Sequence, residues 1–193
     1  MHMESEEMLP DEEVRDASEI ARRALALFAV VGLALGAPKE TTLTWLRDES
    51  LWDELSPEEL KFVSTLEPTE RQRTNGSWRS EALLMLLWSI GVVNELPGLA
   101  QQCDVGTFQR VLPPFANVTV NEFISSAQRR SDDELFEMAN DLLDSHWEAR
   151  DARINGKPMP ANLDIGIIHE RHHAINWIID YGGLPWDDVT TDT

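Results

Sequence analysis

Apolar residues along this chain recur three and four positions apart, and no stretch alternates apolar with polar residues in the period of two that a half-buried strand requires. An all-α fold follows from that pattern. From Asp11 to Leu35 it predicts one helix whose second half is almost wholly apolar, stopped by Gly36 and then Pro38. Lys39 to Glu49 reads as a short helix with Leu43, Trp45 and Leu46 inward. Ser56-Pro57-Glu58-Glu59 opens another: Ser56 can cap, Pro57 suits the first helical position, and Glu59 can reach back to complete a capping box. The most apolar stretch, Ser77 to Val93, lies in a helix expected to start near Pro68. A helix without a polar face is a central one.

Turn residues concentrate between Asn94 and Asn117, with Pro97-Gly98 and Pro113-Pro114, and mark the place for a lobe boundary. Asp104 is placed to cap a short helix to Val111, and Thr119 with Glu122 matches a second capping box. Ser131-Asp132-Asp133-Glu134 opens a long helix to about Ile154, roughly 35 Å at about 1.5 Å per residue. Asn155 to Asn162 reads as a loop. Asp164 caps a C-terminal helix over about 165–181, ended by Gly182-Gly183, and the tail beyond is expected to pack back. The expected architecture is a single compact multi-helix domain over residues 17–193, preceded by an acidic, flexible segment at 1–16.

Charge narrows the partners. The 193 residues carry a formal net charge of −19, which argues against a phosphate-binding surface for nucleic acid and suits a basic protein partner. An immunity-type inhibitor of a cationic toxin would be one role for a chain of this charge. The ends hold part of this charge: residues 1–16 carry seven acids against Arg15, and the tail adds Asp187, Asp188 and Asp192, together nine of the nineteen. Cys103 is the single cysteine, so a reducing, cytoplasmic setting is expected. The apolar run Ala24 to Ala37 after Arg22-Arg23 imitates a signal peptide. It follows an acidic, helical stretch rather than a basic beginning and is too short to span a bilayer, so a buried core helix is expected instead. The seven tryptophans are spread along the chain with no cluster that would form a stacking platform. P-loop, G-x-S-x-G, paired-cysteine and dinucleotide-binding glycine patterns are all missing, and no cofactor is expected.

The stretch Asp164 to Tyr181 contains a literal H-E-x-x-H: His169, Glu170, His173. Two histidines one helical turn apart can bind zinc while the glutamate polarises its water, which makes a metal-dependent hydrolase one alternative. A third ligand is missing at the metzincin positions, held here by Asn176 and Ile179, and no glutamate follows Glu170. On a helical wheel with a step of about 100°, His169, His173, Asn176 and Asp180 fall together on the side expected to face solvent. Arg171 falls in the middle of the apolar arc, where its guanidinium requires a partner or a polar pocket.

The same wheel for residues 131–154 places His146, Arg150 and Arg153 on the face that carries Leu135, Phe136, Met138, Leu142, Leu143 and Ala149. Arg79 and Glu81 sit on the central helix. Three helices therefore carry cations on faces expected to be buried, with Glu81, Glu170 and the tail's Asp187, Asp188 and Asp192 as available carboxylates. These residues form either an ion-pair network that locks the helices or a cationic pocket for an anionic ligand. A pocket hydrolase using His146 beside Arg150 and Arg171 is the second enzymatic alternative. A non-enzymatic binding module is the favoured reading.

The segments W-R-S-E-A-L at Trp78 to Leu83, H-W-E-A-R-D-A-R at His146 to Arg153, the following N-G-K-P, E-R-H-H-A-I-N-W at Glu170 to Trp177 and the ending W-D-D-V-T-T-D-T together resemble the uncharacterised bacterial family known as domain of unknown function 4272. The resemblance runs from about Arg22 to the end, and the stretch Leu25 to Pro38 is similar to that family's opening helix. It implies no activity and no set of catalytic residues. The family's pattern runs through the Glu-Arg-His part without asking for a histidine at the place of His169.

Overall fold

The computed structural model describes residues 14–192, and the acidic segment expected to be flexible lies, up to residue 13, outside the described residues. All regular structure among them is helical: α1 (Ala17–Ala34), α2 (Lys39–Asp48), α3 (Pro57–Ser64), α4 (Glu70–Ser89), α5 (Gly106–Val111), α6 (Val120–Ser126), α7 (Asp132–Ile154) and α8 (Ile165–Ile178), with short 3-10 turns at Trp52–Glu54, Tyr181–Gly183 and Trp186–Asp188.

Local chemistry starts these helices where the polar residues fall. Ser56 with Glu59, Thr119 with Glu122 and Ser131 with Glu134 each form a reciprocal capping box, and Thr69 with Gln72 forms a fourth. Each box satisfies backbone N–H groups that a first helical turn leaves without partners. The α1 helix begins later than its pattern suggests, at Ala17, because Asp16 caps it by accepting from the Glu19 N–H at 2.9 Å. The α4 helix stops at Ser89 rather than Val93, since Gly91 turns left-handed at φ 71° and the Val92 N–H returns to the Leu87 carbonyl. The α8 helix ends at Ile178, before its glycines, with Asp180 left-handed at φ 54°.

The four longest helices pack serially, α1 against α4, α4 against α8, and α8 against α7. One apolar core runs through them and takes in Phe108 and Leu112, Val120 and Phe123, and Trp186 and Val189 of the tail. The α1–α4 crossing is close: a Cβ on Gly76 would stand 2.8 Å from the Ala34 Cβ, so only glycine fits there. No described helix is long and apolar enough to cross a membrane.

Two arginines seal helix ends. Arg15 donates to the Trp177 carbonyl at 2.8 Å and to Asp180 at 2.6 Å, its backbone N–H donates to Ile178, and its guanidinium lies over the Trp177 ring. Arg130 repeats the device at the end of α4, donating to the Trp88 carbonyl at 2.8 Å and stacking over the Trp88 ring. A cation at the last carbonyls also meets the negative end of the helix dipole.

Candidate functional site

Because α8 lies between α4 and α7, and the tail covers a third side, its residues from Ile167 to Ile179 are buried with the single exception of His169. A wheel with one apolar arc therefore misplaces two residues. His173 and Asn176, expected at the surface, are 6% exposed each. His173 packs edge-on against Trp186, ring centroids 4.8 Å apart, and Asn176 donates to the Thr190 carbonyl at 2.9 Å. The tail docks here through Trp186, whose ring also meets Trp177 and lies under the Arg23 guanidinium. Arg23 is itself paired, inside the fold, with Glu59. Burial pushes the His173 imidazole down to about 3, with Arg79, His169 and Arg23 acting in the same direction and Asp187 opposing them. His173 is therefore neutral.

The H-E-x-x-H does not assemble a metal site. His173 is committed to Trp186, Glu170 accepts from Arg79 at 3.2 Å, and the Nδ1 of the exposed His169 sits 3.3 Å from the Thr191 hydroxyl. Among the described residues no group of three or more His, Cys, Asp or Glu side chains is arranged to hold a metal ion.

On the α4 side of α8, Arg171 is 1% exposed and fully engaged. Its Nε and Nη2 donate to Glu81 Oε2 at 3.0 and 2.9 Å, and its Nη1 donates to the Pro97 carbonyl at 2.7 Å. The second Glu81 oxygen accepts the Cys103 N–H at 2.7 Å. This closed set ties α4, α8 and the 97–103 loop together. Burial also pushes the neighbouring Cys103 thiol up to about 12, which removes it as a nucleophile. Arg79 is less enclosed than its helix suggested, with its side chain 26% exposed.

On the α7 side the picture changes. The His146 and His172 Nδ1 atoms are 3.0 Å apart, so one ring donates and the other accepts, and both are neutral. Burial pushes each down to about 4, helped at His146 by His169 and Arg150, and at His172 by His146 and His169. Outside this pair a cleft of about 550 Å³ opens between the end of α7, the start of α8 and the tail. His146, Arg150, Arg153, His169 and Thr191 supply its polar wall, Ile154 and Ile165 its apolar one, and no described carboxylate lines it. His172, unremarked in the sequence, takes the place beside His146 that Arg171 was expected to fill. Arg153 is exposed at the rim rather than buried, because α7 outlasts its contact with α8 in its last turn.

Asp187 accepts the Glu58 N–H at 2.9 Å, at the start of α3, Asp192 accepts from the Thr190 hydroxyl at 2.9 Å, and Asp188 is exposed. The outward side of α7 carries the opposite charge: Asp133, Glu137, Asp141, Asp144 and Glu148 are all exposed. Beside them stand Trp147 at 61% and Leu143 at 38% exposed, the latter expected in the core. Residues 143 and 147 are one turn apart, so the two apolar side chains form a single stripe along the acidic one.

Searches of curated proteins and of solved structures find no match to this chain. A family model matches residues 3–189, spanning the helices and the docked Trp186, and the chain belongs to the family described as "Domain of unknown function (DUF4272)".

Proposed function

We propose that this protein is a binding module for a basic protein partner, recognised by the outward side of α7. The observation that carries this reading is the exposed stripe of Asp133, Glu137, Asp141, Asp144 and Glu148 lying against exposed Trp147 and Leu143. Acids alone would be a solvated surface. An aromatic side chain left out of the core beside them supplies what charge cannot, an anchor that gains affinity when covered. The partner would bring lysines or arginines to the acids and an apolar pocket to Trp147.

Internal pairing adds support. Arg23 and Arg171 are buried and spent on Glu59 and Glu81, and Arg15 and Arg130 on helix ends, so these four cations contribute little to the field a partner meets. An inhibitor of a cationic toxin remains one instance of such a module.

The test uses a synthetic amphipathic helix rich in lysine as the probe, with binding read by titration calorimetry. Binding is expected to weaken steeply between low and physiological salt, where the Debye length contracts to about 8 Å. It should also fall on Trp147→Ala and on Asp144→Lys with Glu148→Lys, but not on the distant Asp53→Lys with Glu67→Lys. Equal losses from both charge reversals would show a diffuse acidic surface and sink the assignment to α7.

A further inference from the structure

An apolar groove borders the acidic side of α7. Leu96, Pro97 and Leu99 of the loop after α4, with Met138 and Leu142 of α7, line a groove of about 420 Å³. Leu96, Pro97, Leu99 and Met138 are only half-buried, so the fold leaves apolar surface here that it does not cover itself. The loop wall is fixed before anything enters. The Pro97 carbonyl accepts from Arg171 at 2.7 Å, and the Leu99 carbonyl accepts the Asp164 N–H at 2.8 Å. A groove with its shape already set loses little freedom on taking a guest.

Charge selects that guest. Asp141 and Asp144, both exposed, line the groove beside Ser145. The described ion pairs of α7 use Asp132, Glu134 and Asp151, toward its two ends, and include neither Asp141 nor Asp144 in its middle. Arg171 borders the groove from inside, but it is 1% exposed and its charge is met by Glu81, so the two aspartates set the sign of the opening. Apolar walls that end in carboxylates fit a side chain with a long hydrocarbon stem and a cationic head. Arginine fits better than lysine, because its planar fork can donate to two carboxylates one turn apart.

We propose, on the reading of α7 as the binding side, that this groove takes an arginine side chain of the basic partner, its stem against Leu96, Leu99 and Met138 and its guanidinium between Asp141 and Asp144. On a wheel of about 100° per residue, these two aspartates lie between Met138 and Leu142 on one flank and Trp147 on the other. The partner is therefore gripped on both flanks of the acidic row: Trp147 enters a pocket of the partner, and the partner's arginine enters this groove. Reciprocal insertion sets the register of the complex, which a row of acids alone leaves free to slide.

Met138 supplies the readout. The full-length chain, isotope-labelled at its methionine methyl groups, is titrated by NMR with N-acetyl-arginine amide and with its uncharged isostere, N-acetyl-citrulline amide. The Met138 methyl signal is expected to move with the arginine probe, and the citrulline probe to bind about tenfold more weakly, having lost its charge-assisted contacts. Asp141→Asn with Asp144→Asn, at exposed positions, should weaken the arginine probe by a similar factor. Asp133→Asn with Glu148→Gln removes as much charge from the ends of the acidic row and should leave that affinity nearly unchanged at physiological salt, where screening acts beyond about 8 Å. An unmoved Met138 signal, citrulline binding as tightly as arginine, or equal losses from the two double variants would overturn the proposal. The lysine-rich helix, titrated in parallel, separates this failure from that of the binding module. A helix that binds and loses affinity on Trp147→Ala, with Met138 unmoved by the arginine probe, strikes the groove alone; a helix that does not bind strikes the module, and the partner's arginine with it.

Discussion

The two sides of α8 use similar residues to opposite ends. Toward α4, Arg171 meets a carboxylate, a carbonyl and no solvent, and each nitrogen of its guanidinium has a partner. Toward α7, two neutral histidines share one hydrogen bond beside an open cleft. Burial of a cation is therefore no sign of function by itself. The first arrangement fixes helix positions with an ion pair, and the second holds α7 against α8 with a neutral pair.

The sharpest way to break this contrast is at the clamp. Arg171→Met strands Glu81 in the core and should cost about 3–5 kcal/mol in urea unfolding, whereas the double variant with Glu81→Leu should recover much of that, because no buried charge is left without its partner. A single variant as stable as the parent would show that the pair is not a clamp. Next in size is Trp186→Ala, which removes a buried ring that meets His173, Trp177 and Arg23, with an expected loss of about 3 kcal/mol.

Acid separates the two sides by a different lever. His146, His172 and His173 are depressed to about 4, 4 and 3 in the folded protein, so the unfolded chain takes up their protons first. Their contribution is complete above about pH 6.5 and is lost as pH falls toward about 4, at about 1.4 kcal/mol per pH unit for each histidine that titrates fully in the unfolded chain. His173→Phe keeps the edge contact with Trp186 and removes a buried Nε2 that has no partner, so it should flatten this slope and raise stability near neutrality by about 1 kcal/mol. A parent whose stability is level between about pH 6.5 and pH 5 would contradict the buried, neutral assignment. The smallest effect belongs to the proposed binding surface. Glu148→Lys should leave stability within about 0.5 kcal/mol, so that any loss of binding is read without a folding defect.

How much of this was legible along the chain depends on the reach of the interaction. Capping boxes are local, four residues long, and those at Ser56, Thr119 and Ser131 could be read directly. The burial of Arg171 was legible because it interrupts an apolar arc, and Glu81 stood among the available carboxylates although 90 positions away. His173 was not legible. A wheel assumes one buried side, whereas α8 is covered by α4, α7 and Trp186, and the docking of a tail leaves no periodic trace. Arg15 and Arg130 escaped for a related reason: each serves a helix end distant in sequence, 162 and 42 positions away, which no local pattern marks. Arg153 erred the other way, since the apolar arc of α7 continues past the point where α8 stops covering it.

The tail's indole brings an optical consequence. Trp177 and Trp186 stand 5.4 Å apart with their planes at 74°, close enough and skewed enough for their ultraviolet transitions to couple, and His173 touches the second ring. Docking of the tail thus carries its own circular-dichroism couplet, which vanishes when Trp186 leaves, while solvent-facing Trp147 emits at longer wavelength and reports on the far side of α7. Closure of the fold and occupation of its surface can be followed in one cuvette, by two native signals, without a label.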